Sequence, residues 1–349
     1  MGDYLVNNYL DNYLESALPI GQLAEAPCYV PWDRGRYEVK PGLLKFGTDL
    51  GNGVWDQRVF QIDGNFSHYH HMKQLARRER LEKYFQTQDF TSEIEQVITQ
   101  FILARLTQEY PQYFQYHTQN HYITFHNQLT QETLYLDPNF TLQAVRGLRA
   151  DVPPYASALD ALANQVQEDI NVVRRVGEKH WLSAIHVCFP NHWAVEANIG
   201  REFAQIHAPV PGMDRMNRRG DALVHTMITQ PPMVRFAWGL STDTRLNHHP
   251  EPPPGCDPQQ WQGRNFNPND PHLYIRMERQ VIWGFPAMDA ALFTIRTYFQ
   301  DVGVLKQNPT QSALLQAAIQ SMSPASLAYK GLDHQQPEIL AWLGTKTVK

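Results

Sequence analysis

The chain has 349 residues, of which 42% are hydrophobic and 19% charged, with a formal net charge of -5. That length and apolar content can bury a substantial core, and the acidic balance excludes the strongly basic surface of a nucleic-acid-binding domain. No stretch approaches the roughly 18–20 consecutive apolar residues of a membrane helix, and no basic segment followed by an apolar run opens the sequence. The three cysteines, Cys28, Cys188 and Cys256, are far apart and odd in number. They form neither a disulfide framework nor a Cys-x-x-Cys metal site, so a reducing, cytoplasmic setting is expected.

Residues 1–36 read as an extension: tyrosines and leucines from Tyr4 to Leu14 at mixed helical spacing, then an extended segment with Pro27, Pro31 and Gly35. Its apolar stripe docks either on the body of the protein or on another subunit, which leaves a homo-oligomer open. Residues 66–85 are amphipathic, with Met72, Leu75, Leu81 and Phe85 as core positions. Within them, Arg77-Arg78-Glu79-Arg80 reads as a solvated face, and His68, His70 and His71 as a surface cluster. Residues 91–109 carry a clear helical stripe from Ile94 to Leu106, ended by Tyr110-Pro111. The alternation of residues 116–136 predicts strands or a hairpin. Residues 159–176, with Leu159, Leu162, Val166, Ile170 and Val173 at helical spacing, predict a second helix.

Residues 181–189 are mostly apolar, aromatic or β-branched and stop at Pro190, as a strand buried on both faces would. Val195, Ile199, Phe203 and Ile206 then recur at helical spacing around Gly200, giving an interrupted helix that ends at His207. Pro209 disfavours helical geometry at Ala208, and with Pro211 it stiffens the exit. A histidine so placed either caps the helix or presents one ring nitrogen along a fixed direction to a metal. Residues 214–229 predict helix and 234–240 a strand, and 247–271 form a long loop containing Pro252-Pro253-Pro254-Gly255. Strands at 273–282 and 291–299 follow, then helices near 311–322 and 337–343.

Several motifs stand in one order: Gln167-Glu168-Asp169; Cys188-Phe189-Pro190 with Trp193; Ile199-Gly200; Ile206 to Gly212; Arg235 with Trp238; Arg276 to Gln280; Phe293 to Tyr298; and Tyr329-Lys330-Gly331-Leu332. Together they resemble the haem-dependent oxidative N-demethylase family, described also as the α subunit of dimethylamine monooxygenase, over residues 37–343. The resemblance implies an α+β fold: a PAS-like antiparallel sheet with flanking helices and helical extensions at both ends. A single haem-binding domain would span 37–345, with its core at about 120–300. It also implies haem b as cofactor and O2-dependent demethylation of a small secondary amine with release of formaldehyde. Electrons would come from NADPH through FMN and a 2Fe-2S cluster on partner reductase subunits. The chain itself lacks a Gly-x-Gly-x-x-Gly fingerprint and enough cysteines to hold a cluster by four thiolates.

On that resemblance His207 is the expected iron ligand, with His186, two residues before Cys188, as its rival. Reduced O2 gathers negative charge, so a cation should face it. Arg235 is the first candidate, with Arg276, Arg279 and Arg296 as alternatives, and Trp238, Arg279 and Arg296 are expected beside the cofactor. Arg276, Glu278 and Gln280 share one face of a strand, where they either fix the sheet as a polar network or meet an ammonium group through Glu278. The chain departs from the family at Ala237 and Gly239, where Asn and Ser are usual, and at Val281-Ile282-Trp283-Gly284, where Thr-Leu-Arg-Arg is usual. Two other readings follow from the same residues: a haem-based gas or redox sensor without turnover, and a haem-free structural relative.

Overall fold

The computed structural model describes residues 23–119 and 122–345; the expected helix among residues 1–22 lies outside them. The architecture is α+β, with two antiparallel sheets. The strands in chain order are β1 (Leu44–Lys45), β2 (Phe85–Thr87), β3 (Phe114–Gln119), β4 (Tyr122–Asn127), β5 (Glu132–Leu136), β6 (Leu142–Arg146), β7 (Asp169–Val176), β8 (Lys179–His186), β9 (Met233–Ser241), β10 (Tyr274–Phe285) and β11 (Ala290–Asp301). A four-stranded meander runs β3-β4-β5-β6, and a seven-stranded sheet runs β1-β9-β10-β11-β7-β8-β2. Every pairing in both sheets is antiparallel.

The two faces of the large sheet meet different partners. One carries Ile170, Val172, Ala184, Val234, Val281 and Leu292, packed with the helix Ser92–Glu109, the helix Ala158–Ala163 and the small sheet. Farther along that face, Trp238, Ile275, Met277 and Tyr298 join Trp32 and the C-terminal helices Pro309–Gln320 and Gln336–Gly344. The opposite face carries Val173, Leu182, Ile185, Ile282, Ala291 and Phe293. It is covered mainly by residues 187–232, which hold the helices Phe203–His207, Asp214–Asn217 and Gly220–Thr229, and at its far end by the 245–248 segment against Arg276.

The helix predicted over 159–176 is instead the helix Ala158–Ala163 followed by strand β7. Its apolar residues fit a helical period up to Val166, but the β-branched Ile170, Val172 and Val173 lie in a central strand between β8 and β11, where both faces are buried. The strand predicted through 189 stops at His186 because the next backbone donors turn elsewhere: Val187 N–H to the Tyr84 carbonyl, and Cys188 and Phe189 N–H to the Asp169 carboxylate. Of the interrupted helix before His207, only Phe203–His207 forms.

Two surface readings in the first helix, Phe66–Arg80, are corrected by burial. Arg77 is fully buried against Asp160, while Arg78 and Arg80 are exposed. His70 is half-buried, with Nδ1 3.0 Å from the Asn164 carbonyl and its ring stacked on Phe66. The Gln167-Glu168-Asp169 motif is also interior. Gln61 N–H donates to Glu168 Oε1 at 2.7 Å, Asp63 N–H donates to Gln167 Oε1 at 2.8 Å, and Lys73 Nζ donates to the Glu168 carbonyl.

Burial without a partner for Oε2 pushes the Glu168 carboxyl from its ordinary 4.5 up to about 7. A folded-state value above the unfolded one gives a contribution present below pH 4.5 and lost as pH rises through about 7. Glu168→Gln should therefore remove about 1–3 kcal/mol of the fall in unfolding free energy between those limits, as read by urea titrations at stepped pH. A residual slope from Asp169, raised to about 6 by burial, should remain. An unchanged pH profile would contradict this.

Candidate active-site face

The sheet register divides the residues singled out in the sequence into two groups. Arg235 stands opposite Gln280, Ala237 opposite Glu278 and Gly239 opposite Arg276, so Arg235, Arg276, Glu278 and Gln280 share the face beneath residues 187–232. Trp238, Arg279 and Arg296 lie on the other face, where Trp238 is opposite Met277 and Arg279 is opposite both Phe236 and Arg296. There Arg296 forms an ion pair with Asp63 at 2.5 Å, and Arg279 donates to the Arg58 carbonyl at 2.9 Å. Trp238 packs on Trp32 and Tyr37. His186 is on this second face too, paired with Ile170 and fully buried, its Nε2 3.1 Å from Asp160 Oδ1. These four side chains tie the sheet to its packed layer.

His207 belongs to the first group. Its helix packs through Phe203 against Val224, Ile282 and Phe293, and through Ile206 against Leu182 and Ile185. The Phe203 N–H donates to His180 Nε2 at 3.1 Å, which fastens the start of that helix to β8. Within it, His207 Nδ1 lies 2.8 Å from the Phe203 carbonyl, and the two rings stack at 4.1 Å. A carbonyl can only accept, so Nδ1 carries the proton and Nε2 keeps its lone pair. Burial first, and the nearby Arg235 charge second, hold the imidazole below its ordinary pKa. The result is a neutral ring with one nitrogen fixed by a carbonyl, as metal-ligating histidines have. Val210 N–H closes a turn on the His207 carbonyl at 3.0 Å, so the following prolines continue from a defined bend.

Beside His207 the middle of the sheet is under-covered. Met233, Arg235 and Ala237 of β9, Glu278 of β10, and Phe293 and Phe299 of β11 are only half-buried, whereas Val234, Met277, Arg279, Val281 and Tyr298 on the other face are buried. Several buried polar atoms on this face have no partner among the described residues: Asn171 Oδ1, Thr297 Oγ1, Gln280 Oε1, Arg235 Nε and Arg276 Nε. The other face of the sheet also holds buried atoms without a partner among the described residues, at Arg174 Nε, His186 Nδ1, Arg279 Nε, Thr294 Oγ1 and Gln300 Oε1, so what distinguishes the strip is its partial cover beside His207. Glu278 accepts a 2.9 Å hydrogen bond from Gln280, and its charge reaches Arg235, Arg276 and Lys330.

The far end of the strip holds residues that sequence reasoning did not single out. Arg276 donates to the carbonyls of Phe189, Arg245 and Leu246 and lies 3.0 Å from His248 Nδ1. His248 Nε2 meets Asp243 Oδ1 at 2.9 Å, and its ring stacks at 4.9 Å on His192, a residue with φ of 61°. Burial drives the His192 imidazole down to about 2. Among the described residues, Glu196, His249 and Glu251 could meet one metal ion, but Arg80 holds Glu251 in an ion pair at 2.7 Å. Two shallow hollows of about 440 and 350 Å³ lie near the β7–β8 turn, and neither is lined by His207, Arg235 or Glu278.

The fold and this strip define an α+β protein with a polar, partly covered sheet face served by a fixed neutral histidine. The family model of the haem-dependent oxidative N-demethylase, alpha subunit-like proteins matches residues 52–340, and the chain belongs to that family. The family description carries with it a haem cofactor, an oxidative demethylase activity and further subunits. The residues present fit a haem in their chemistry: a neutral histidine with a nitrogen that keeps its lone pair, and polar atoms on the facing strands without a partner among the described residues. Gly284, one of the departures from the family pattern, is in close contact with the helix Gly220–Thr229. A Cβ there would collide with the carbonyl of Ile228, so the family's arginine would require that helix to stand farther from the sheet.

Proposed function

We propose that the chain is the haem b-binding, amine-oxidising subunit of an oxidative N-demethylase, in which His207 would hold the haem iron and the strip over β9, β10 and β11 would be the reaction site. The observation that carries this is His207 itself, with Nδ1–H committed to the Phe203 carbonyl, Nε2 keeping its lone pair, and the Arg235 charge acting on the ring. The order β8-β7-β11-β10-β9, second, first, fifth, fourth and third in the chain, with the helical crossing between β8 and β9, supports a PAS-like core. Haem, when bound, supplies redox-active iron that binds O2 and takes electrons one at a time. The chain's own groups then divide the remaining work. Arg235, whose charge reaches both His207 and Glu278, would offer fixed positive charge to negative charge that develops on the strip. Arg276, pinned by three carbonyls, holds the 189 and 245–248 segments in place, and Glu278 offers a half-buried carboxylate to an ammonium group.

Electrons would enter from a separate reductase using NADPH, FMN and a 2Fe-2S cluster, since three scattered cysteines cannot supply four thiolates. The described residues contain no helix long and apolar enough to cross a membrane, and the unpaired cysteines suit a cytoplasmic enzyme. Haem-loaded protein supplied with a reductase and small secondary amines such as dimethylamine should release formaldehyde in step with O2 uptake. Haem and O2 binding without formaldehyde from any such amine would favour the gas or redox sensor instead.

A further inference from the structure

The strip is bordered by cations that form no ion pair among the described residues. Lys330 caps the C-terminal end of the helix Pro324–Tyr329, and its Nζ donates to the Trp238 carbonyl at 2.9 Å, on the edge of β9 that β1 leaves open. The ammonium sits 5.2 Å over the Tyr37 ring and close above Gly239, where a Cβ would lie 3.3 Å from it. Gly331, with φ of 67°, lets the Arg264 side chain lie directly against the backbone; a Cβ there would collide with its Cδ and guanidinium. Arg264 is half-buried, and its guanidinium makes neither a hydrogen bond nor an ion pair among the described residues. Its charge is felt by His192 on one side and by Tyr329 and Lys330 on the other, which locates it between the two ends of this border.

The charges do not balance. Among the described residues no carboxylate lies within ion-pair distance of Arg235, Arg264, Arg276 or Lys330, and Glu278 is the one acidic group whose charge reaches three of them. Partly buried cations left unpaired are costly, and a planar guanidinium suits a bidentate carboxylate.

We propose that Arg264 and Lys330 form a carboxylate-binding site at the β9 edge of the strip, with Gly331 and Gly239 making room for the two cations. The carboxylate has two possible sources: a propionate of the haem, which rests on the functional reading above, or the acid group of a free substrate such as an N-methylated amino acid. Because the Arg264 guanidinium has no hydrogen-bond or ion-pair partner among the described residues, Arg264→Gln should melt at the parent temperature, and Lys330→Met supplies an independent variant.

The test measures acetate and N-methylglycine binding by calorimetry, before and after haem loading, and haem affinity by competition with apomyoglobin. The site predicts that acetate binds haem-free protein and that each variant weakens it about tenfold or more. If haem loading abolishes acetate binding and both variants lose haem affinity, the site holds a propionate. If haem affinity is unchanged and N-methylglycine binds the loaded parent but not the variants, the site holds a substrate. The proposal is overturned if parent and variants bind acetate alike and hold haem equally well. A chain that takes up no haem would refute the functional reading, yet the acetate measurement would still decide this site.

Discussion

His207→Ala is expected to weaken haem binding by about a hundredfold and to abolish the absorption shift that dithionite and CO produce in the parent. Losing only an outer partner of a metal-bound histidine costs about 10–100-fold in affinity, so losing the ligand should reach at least the top of that range. A hundredfold corresponds to about 2.8 kcal/mol. The fold should survive, because the imidazole is half-buried and contributes one hydrogen bond and one stacked ring. A cost of about 1 kcal/mol in unfolding free energy is appropriate to that loss. Added imidazole should restore the spectrum by occupying the vacated volume next to Phe203. Haem affinity and spectra unchanged in His207→Ala would remove this residue from the ligand role, whatever else binds the cofactor.

The position of His207 was legible because local rules converge on it: apolar spacing up to Ile206, then Pro209 and Pro211. The structure adds what spacing cannot contain, namely the carbonyl that fixes its tautomer and the sheet face it serves. The alternation of residues 273–299 likewise anticipated β10 and β11, including the shared face of Arg276, Glu278 and Gln280. That Trp238, Arg279 and Arg296 lie on the far side follows from register with neighbouring strands, and register depends on pairings that no local window holds. Residues 170–176 show the same limit. Their spacing satisfied a helix, and only the long-range ladders to β8 and β11 made them a strand. Lys330 and Arg264 escaped notice for a related reason, since 66 positions separate Lys330 from an arginine that lies against the neighbouring backbone only because Gly331 is bare.

Arg77 is the sharpest case of a tertiary contact overriding a local pattern, and it sets the largest stability effect expected. In sequence it is one of three arginines in a charged run; in the structure it is fully buried with Asp160, its partner across a gap of 83 residues. Its second nitrogen donates to the carbonyls of Pro153 and Pro154 at 3.0 and 2.9 Å, and the guanidinium lies 4.7 Å from the Tyr155 ring centroid. Asp160 also accepts from the Ala156 N–H at 2.8 Å and faces His186 Nε2 at 3.1 Å. Arg77→Met keeps much of the side-chain volume but strands a buried carboxylate and two carbonyls, so it should destabilise the fold by about 3–5 kcal/mol. The double variant Arg77→Met with Asp160→Asn should recover part of that loss, because the unpaired buried charge is the dominant cost. Urea unfolding of parent, single and double variants measures both effects. A single variant within about 0.5 kcal/mol of the parent would return Arg77 to the solvated face that its neighbours Arg78 and Arg80 occupy.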